Sequence, residues 1–66
     1  MEWALIRADW EKCGAAVQDR WGRITEEDLT VAQAGRDELV GCVLKRYRME
    51  RSMAERQVDD WIKSWG

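Results

Sequence analysis

Hydrophobic residues recur along most of the chain at intervals of three and four positions, which is the period of an α-helix and not of a β-strand. In the first third of the chain, successive apolar positions are separated by 3, 4, 3, 4 and 4 residues. These positions are Trp3, Ile6, Trp10, Cys13, Val17 and Trp21. Charged residues mostly lie between them, and Gly22 directly after them suits a left-handed helix cap. The pattern predicts a first helix over about residues 2–21.

Two shorter helices are predicted in the middle of the chain. Thr25 is a favourable N-cap because its hydroxyl can accept a backbone N–H, and the acidic run 26–28 complements the positive end of the helix dipole. These signals start a helix over about residues 26–33. Apolar residues from Leu39 onward then form one broad face of a third helix, over about residues 36–47.

The last predicted helix covers about residues 51–64 and carries apolar residues at spacings of 4, 3, 1 and 3. Its start has two interpretations. Ser52 and Glu55 match a capping box, whereas a start nearer Met49 or Glu50 fits the pattern as well. No repeat or low-complexity linker interrupts the sequence. The predicted fold class is therefore all-α, with four short helices.

The length and composition of the chain limit the functions it can have. Residues 1–66 form a single small domain, with too little volume for a deep substrate cavity. The chain has no His, so it lacks any Ser-His or Cys-His pair and any imidazole ligand for a metal. The acidic run 26–28 and the pair Asp59-Asp60 lack the spacing of a calcium loop or of a tuned acid–base pair. We predict no catalytic residue, no cofactor and no metal site.

The charged residues are unevenly distributed. The chain carries 11 basic and 13 acidic residues, a net charge of −2, whereas a general nucleic-acid binder usually has a clear positive excess. Segment 45–56 is the exception, with five basic residues against two acidic ones. Its candidate phosphate contacts are Arg46, Arg48 and Arg51, because guanidinium groups bind phosphate in a bidentate manner. The competing interpretation is a solvated helix face on which Arg51 pairs with Glu55.

Five tryptophans supply much of the predicted core. Trp10, Trp21 and Trp61 lie on apolar stripes and are expected to be buried. Trp65 is followed by a single residue in the sequence and is expected to be partly exposed, where with Ile62 it could seed a protein contact. The sequence does not identify that protein partner, and it leaves open whether the protein is a monomer or a weak homodimer.

The two cysteines are interpreted as reduced thiols. The chain shows no recognisable signal peptide and no long apolar run, which favours a cytoplasmic protein and no membrane insertion. Cys13 continues the apolar stripe of the first helix and is expected to pack in the core. Cys42 is expected to be partly exposed, which makes it a candidate redox sensor. A disulfide between them, which would need Cα atoms within about 7 Å, is disfavoured.

The middle of the chain resembles a known family. The run Trp21-Gly22-Arg23-Ile24-Thr25-Glu26-Glu27-Asp28-Leu29 is similar to the W-G-K-L-T-D-D-D-L core of the CsbD-like bacterial general stress-response proteins. The resemblance continues through 36–41 and 54–61 and covers about residues 2–61. It implies a small soluble cytoplasmic protein that is abundant under stress and has no established biochemical activity. It also implies two helical hairpins packed crosswise, in a SAM-domain-like arrangement.

The chain departs from the family pattern at Arg48, where the family usually has a Gly that resembles a cap after the third helix. Two outcomes follow from the departure. Either Arg48 adopts a strained left-handed conformation at a cost of about 1 kcal/mol, or the third and fourth helices are joined differently here.

The residues and the resemblance together predict a non-enzymatic stress-response protein that acts through protein contacts or through its abundance. The alternative is a weak nucleic-acid-binding module that uses segment 45–56. A salt-dependent affinity for nucleic acid would distinguish the second from the first.

Overall fold

The computed structural model describes residues 2–64. Within this range the chain forms helices and connecting turns and contains no strand, which confirms the all-α class. The structure has five helices in place of the four predicted. They are α1 (Trp3–Ala8), α2 (Trp10–Arg20), α3 (Glu26–Ala32), α4 (Arg36–Tyr47) and α5 (Arg51–Lys63). The bounds of the last three agree with the predicted ones to within one residue.

The predicted first helix is two helices, because the backbone turns at Asp9. This residue has φ −122° and ψ 48°, and its amide donates to the carbonyl of Ile6 (3.2 Å), a tighter spacing than that of an α-helix. A straight helix of 20 residues would be about 30 Å long, whereas the longest dimension of the domain is 28 Å. The turn lets α1 pack against α2, and it brings the Trp3 indole N–H to the carbonyl of Gln33 (3.2 Å).

The end of α2 also differs from the prediction. The helix ends at Arg20, and Trp21 leaves it with φ −126° and ψ 85° while its amide donates to the carbonyl of Val17 (2.8 Å). The left-handed cap expected at Gly22 is wrong, since no glycine that the structure describes adopts the left-handed region. The chain leaves the helix where the Trp21 side chain enters the core.

The core draws on all five helices and on the loop between α2 and α3. α3 packs against α4, and α4 packs against α5. The buried apolar residues are Ile6, Cys13, Val17, Trp21, Ile24, Ala32, Leu39, Val40, Cys42, Val43, Ala54, Val58 and Trp61. A core of this composition, spread over every helix, couples the helices into one cooperative unit.

Tryptophan placement follows the predictions for two of the three residues expected in the core. Trp21 is 1% exposed and Trp61 is also buried, and their rings meet edge to face with centroids 5.9 Å apart. The prediction for Trp10 is wrong: it is half-buried and packs against Trp3 at 5.8 Å, because the turn at Asp9 places this pair at the margin of the core. Trp65 lies outside the described residues.

The helix starts show which local signals operate. Thr25 forms a capping box with Asp28, as its hydroxyl accepts the Asp28 amide and its own amide donates to Asp28 Oδ2, both at 3.2 Å. The capping box predicted at Ser52 is wrong, and the earlier start is confirmed. Glu50 is the N-cap of α5, with φ −65° and ψ 147° and no side-chain cap, and its carbonyl accepts the Met53 and Ala54 amides.

Arg48 ends α4 in a left-handed conformation, with φ 49° and ψ 46°. It is the only non-glycine residue with a positive φ between residues 2 and 64. Of the two outcomes stated above, the structure therefore has the left-handed cap. The Arg48 amide donates to the carbonyl of Leu44 (2.9 Å), and the chain then reaches α5 through Met49 and Glu50.

We expect Arg48→Gly to stabilise the domain. Glycine adopts the left-handed region without a Cβ penalty, and after its larger chain entropy in the unfolded state is subtracted, the gain is about 0.5–1 kcal/mol. In a domain of this size that gain raises the melting temperature by about 3–6 °C. Thermal unfolding followed by circular dichroism measures it. Arg48→Ala, which loses the same charge and keeps the Cβ, is the control and should show no gain. An Arg48→Gly variant that melts no higher than Arg48→Ala would contradict the assignment of strain.

Candidate functional site

Basic side chains meet around one tyrosine at the C-terminal end of α4. An open concavity there is lined by Arg23, Lys45, Arg46, Tyr47 and Arg48, which we call the basic surface. Four of its five residues come from the last turn of α4 and its cap, and Arg23 comes from the loop between α2 and α3. Four cationic side chains therefore converge in a chain whose net charge is −2.

Tyr47 holds Arg23 in place at two points. The backbone N–H of Arg23 donates to the Tyr47 hydroxyl oxygen (3.1 Å), and the Arg23 guanidinium carbon lies 5.6 Å from the centre of the tyrosine ring. The second contact is a cation–π interaction, which is worth about 0.5–1 kcal/mol at an exposed position. Arg23 is thus an exposed cation whose backbone and side chain are both positioned by α4.

Arg46 differs from the other three cations because it has a buried counter-ion. Its Nε donates to Asp28 Oδ2 at 2.6 Å, and the side chains of Arg46 and Asp28 are 31% and 6% exposed. The hydrogen bond from Arg46 lowers the pKa of the Asp28 carboxyl below its ordinary value, and the bonds from Thr25 act in the same direction. Asp28 in turn raises the pKa of Arg46. The charge of Arg46 is largely compensated, so this residue fixes the wall of the basic surface more than it attracts an anion.

The residues predicted from the sequence fall in different places. Arg46 and Arg48 line the basic surface, whereas Arg51 begins α5 and pairs with Glu55 (3.4 Å, four residues apart), as the solvated-face interpretation expects. Segment 45–56 is therefore not one continuous surface. The later part of the segment lines a second, smaller concavity, formed by Glu50, Ser52, Met53 and Arg56. The fourth candidate, Trp65, lies outside the described residues.

Arg23 is the site residue that sequence reasoning missed. It stands 24 positions before Tyr47, and only the packing of the α2–α3 loop against the end of α4 brings the two together. The one signal in the sequence was its position within the run that resembles the CsbD-like core. Helical periodicity could not relate Arg23 to segment 45–56, because the two lie in different elements of the chain.

The chemistry open to the basic surface is anion binding. Guanidinium groups donate two parallel hydrogen bonds to phosphate or carboxylate oxygens, and an adjacent aromatic ring adds a flat surface for stacking. Part of the charge also has a structural effect, since Lys45 and Arg46 lie in the last turn of α4 and complement the negative end of its dipole. The exposed positions of Arg23, Lys45 and Arg48 leave their charges open to a ligand.

Two of the acidic residues singled out in the sequence, Asp28 and Asp59, have structural partners. Asp59 binds the Arg36 guanidinium through both oxygens, at 2.6 Å and 3.0 Å, and so joins the start of α4 to α5. Asp28 is engaged by Thr25 and Arg46 as described. No group of three or more His, Cys, Asp and Glu side chains between residues 2 and 64 is arranged to hold a metal ion. None of the helices in this range is long and apolar enough to cross a bilayer.

Both cysteines are free and buried. The prediction that Cys42 is partly exposed is wrong, since Cys42 is only 6% exposed. It is buried because α3 packs against α4 on this side, and its thiol donates to the backbone carbonyl of Asp28 (3.5 Å). Burial raises the pKa of both thiols, for Cys42 with a further contribution from Asp28. A buried thiol with a raised pKa reacts slowly, so the structure gives the redox hypothesis for Cys42 no support.

We expect the folded protein to resist thiol labelling. At neutral pH, a reagent such as Ellman's reagent should modify both cysteines rapidly in denaturant and only at the rate of global or local opening in native buffer. Mass spectrometry of the labelled peptides distinguishes Cys13 from Cys42. Labelling of Cys42 in native buffer as fast as in denaturant would contradict its burial.

Sequence comparison identifies relatives of this chain. The UPF0337 protein YjbJ of Escherichia coli O6:H1 strain CFT073 is 36% identical over 55 residues, which cover 83% of this chain and 80% of that protein. The chain belongs to the UPF0337 family. The UPF0337 protein ECA0631 of Pectobacterium atrosepticum is 38% identical over 53 residues, 80% of this chain and 77% of its own. UPF0337 is a CsbD-like family, so the resemblance is confirmed at that level.

A more distant UPF0337 protein, NE2439 of Nitrosomonas europaea, is 32% identical over 59 residues, which cover 89% of this chain and 63% of that protein. The names of these relatives state no activity. No family model matches the chain. No solved structure matches it either. The family is thus shown by the relatives, while its biochemical function has to be argued from the surface described above.

Proposed function

We propose that this UPF0337 protein is a non-enzymatic stress-response protein of the bacterial cytoplasm that acts by contact with a partner or by its abundance. The resemblance of residues 21–29 to the CsbD-like core supports the link to stress. The same resemblance supports an arrangement of two crosswise helical hairpins. In that arrangement the helix predicted over 36–47 pairs with the one predicted over 51–64, and the packing of α4 against α5 supports this second hairpin.

The basic surface is the observation that carries the proposal of action by contact. An acidic protein that concentrates exposed cations at one end of one helix has a surface suited to an anionic partner. Such a surface can bind an anionic partner through its positive charges. Binding of this kind needs neither a nucleophile nor a tuned acid–base pair, both of which catalysis would require.

The experiment is a tagged pull-down from stressed cells after mild crosslinking, with and without nuclease. We expect a reproducible partner whose recovery falls when Arg23 and Arg48 are both replaced by Gln. Recovery should be retained when Arg51 and Arg56 are both replaced by Gln, a control that removes the same charge from exposed arginines outside the basic surface. Equal recovery by all three proteins would contradict the basic surface as the contact. The absence of any reproducible partner would favour action through abundance alone.

Weak nucleic-acid binding is the second candidate function. The observation that favours it is the position of Tyr47 among Arg23, Lys45 and Arg48, because an aromatic ring flanked by exposed cations is typical of single-strand binding sites. The net charge of −2 limits the number of phosphates that such a protein can contact, so the affinity is expected to be modest and strongly dependent on salt.

A further inference from the structure

We propose that Arg23, Lys45 and Arg48 form a phosphate-binding site for single-stranded nucleic acid around Tyr47, with Arg23 as its most important residue. The inference rests on the second candidate function and goes beyond it by assigning the phosphate contacts to three side chains, by excluding Arg46 from them and by ranking Arg23 first. It also places the site away from Arg51, which the sequence grouped with Arg46 and Arg48.

The charge available to a ligand comes from three side chains. Arg46 is bound to the buried carboxylate of Asp28, whereas no ion pair joins Arg23, Lys45 or Arg48 to a carboxylate in the part of the chain that the structure describes. All three are exposed. The basic surface therefore presents three uncompensated positive charges, which matches a run of about three phosphates.

Arg23 is the best positioned of the three. Its amide is bonded to the Tyr47 hydroxyl and its guanidinium lies over the Tyr47 ring, so the side chain is partly ordered before a ligand arrives. Ordering in the free protein reduces the entropy lost on binding. A planar guanidinium also matches a phosphodiester better than an ammonium does. Lys45 contributes a mobile point charge by comparison.

The shape and charge of the protein favour a single strand over a duplex. The basic surface is confined to the last turn of α4, its cap and one loop residue, so a duplex would also have to contact the protein surface around it. The rest of the protein surface carries a negative balance and would repel the second strand. A single strand can bend away from the acidic regions and place a base beside the half-buried ring of Tyr47 and the Arg23 guanidinium.

The test is the salt dependence of binding to a fluorescent oligothymidine, measured by anisotropy between about 50 and about 200 mM salt. Three phosphate contacts predict a slope of log affinity against log salt of about −2 for the unmodified protein. Arg23→Gln should reduce the slope to about −1.4 and weaken binding about tenfold at low salt. Arg23→Lys should restore the slope and only part of the affinity, because it keeps the charge and loses the planar fork.

Arg51→Gln is the matched control, since it removes the same charge from an exposed arginine outside the basic surface. Its slope and affinity should stay near those of the unmodified protein. Circular dichroism establishes that each variant is folded. Equal losses for Arg23→Gln and Arg51→Gln would overturn the site and leave nucleic-acid binding as a function of general charge.

The remaining outcomes separate the inference from the function on which it rests. If the unmodified protein does not bind oligothymidine at about 50 mM salt, both the nucleic-acid function and the site are wrong. A matched duplex that binds more tightly than the single strand would overturn the ligand class. A nuclease-resistant acidic protein that depends on Arg23, found in the absence of oligothymidine binding, would assign the basic surface to a protein partner and overturn the inference.

Discussion

Trp21→Ala is expected to unfold the domain at about 25 °C. Trp21 is the largest of the fully buried side chains, and its ring lies between α2 and α5, where it contacts Trp61. Removing a buried tryptophan costs about 3–5 kcal/mol, and a core in a domain of this length rarely supplies more than about 3–5 kcal/mol in total. The loss therefore equals the whole stability. Far-UV circular dichroism should show little helix, with no cooperative urea transition.

Two milder variants keep this prediction testable if Trp21→Ala gives too little protein. Trp21→Phe retains much of the volume but leaves Gln57 Oε1 without the indole N–H that donates to it at 3.1 Å, so we expect a folded domain weakened by about 1.5–3 kcal/mol. Trp3→Ala removes a half-buried ring at the margin of the core and should cost about 1–2 kcal/mol. A Trp21→Phe protein as stable as the unmodified one, or a Trp21→Ala protein no less stable than Trp3→Ala, would contradict the central position of Trp21.

Local signals in the sequence were sufficient for the later helices. Thr25 and the acidic residues after it mark the start of α3, and this start needs no tertiary contact because both partners of the capping box lie within four residues. The 3.6-residue period extends through α4 and α5 and places their apolar faces correctly. The sequence leaves the start of α5 ambiguous, because Glu50 and Ser52 both precede a helical pattern. In the structure Glu50 has the extended backbone of an N-cap, and the helix begins directly after it.

The turn at Asp9 could not be predicted from the apolar stripe. Trp10 continues the spacing of Trp3 and Ile6 whether the helix is straight or broken, because a turn of one residue leaves the interval unchanged. What selects the turn is tertiary: it lets Ile6 enter the core while the Trp3 indole N–H reaches the carbonyl of Gln33, 30 residues away. Period counting carries no information about such a constraint.

The candidate site depends on the same kind of contact. Lys45, Arg46 and Arg48 can be grouped from their proximity in sequence. The sequence does not show which of the three charges is free to bind an anion, because Arg46 pairs with a carboxylate 18 residues earlier. The addition of Arg23 depends on the α2–α3 loop. The sequence therefore predicts a cluster of positive charge at the end of α4. It does not predict which of those side chains lack an ion-pair partner.

Asp28 connects the stability of the fold to the geometry of the basic surface. One oxygen, Oδ2, accepts the amide of Thr25 at 3.2 Å and Nε of Arg46 at 2.6 Å. The same carboxylate therefore caps α3 and anchors a side chain of α4. α3 and α4 also bury Cys42 between them, with the thiol bonded to the Asp28 carbonyl. A change at Asp28 is expected to loosen the helix pair and the wall of the basic surface together.

Asp28→Asn should destabilise the domain by about 2–3 kcal/mol at neutral pH. The substitution keeps the size of the side chain and removes the charge that holds Arg46, while the partial exposure of Arg46 keeps the loss below that of a fully buried pair. Asp59→Asn is the matched control. Its pair with Arg36 has equally short contacts, but Asp59 is 47% exposed, so solvent screens the pair and we expect a loss well below that of Asp28→Asn. Urea denaturation measures both, and equal losses would contradict the distinction drawn from burial.

The pH dependence tests whether the charge of Asp28 is responsible. Its pKa in the folded protein lies below the ordinary value of 3.8, so its contribution is fully present above that value and is lost as the pH falls through the folded pKa. The difference in unfolding free energy between the unmodified protein and Asp28→Asn should therefore be constant from neutral pH down to the region of the ordinary pKa of 3.8, and should shrink as the pH falls further. Asp59, whose pKa is lowered by Arg36, titrates in the same window, but it is present in both proteins and cancels in the difference. A difference that stays constant below the ordinary pKa as well would show that Asp28 stabilises the helix start through its shape and not through its charge.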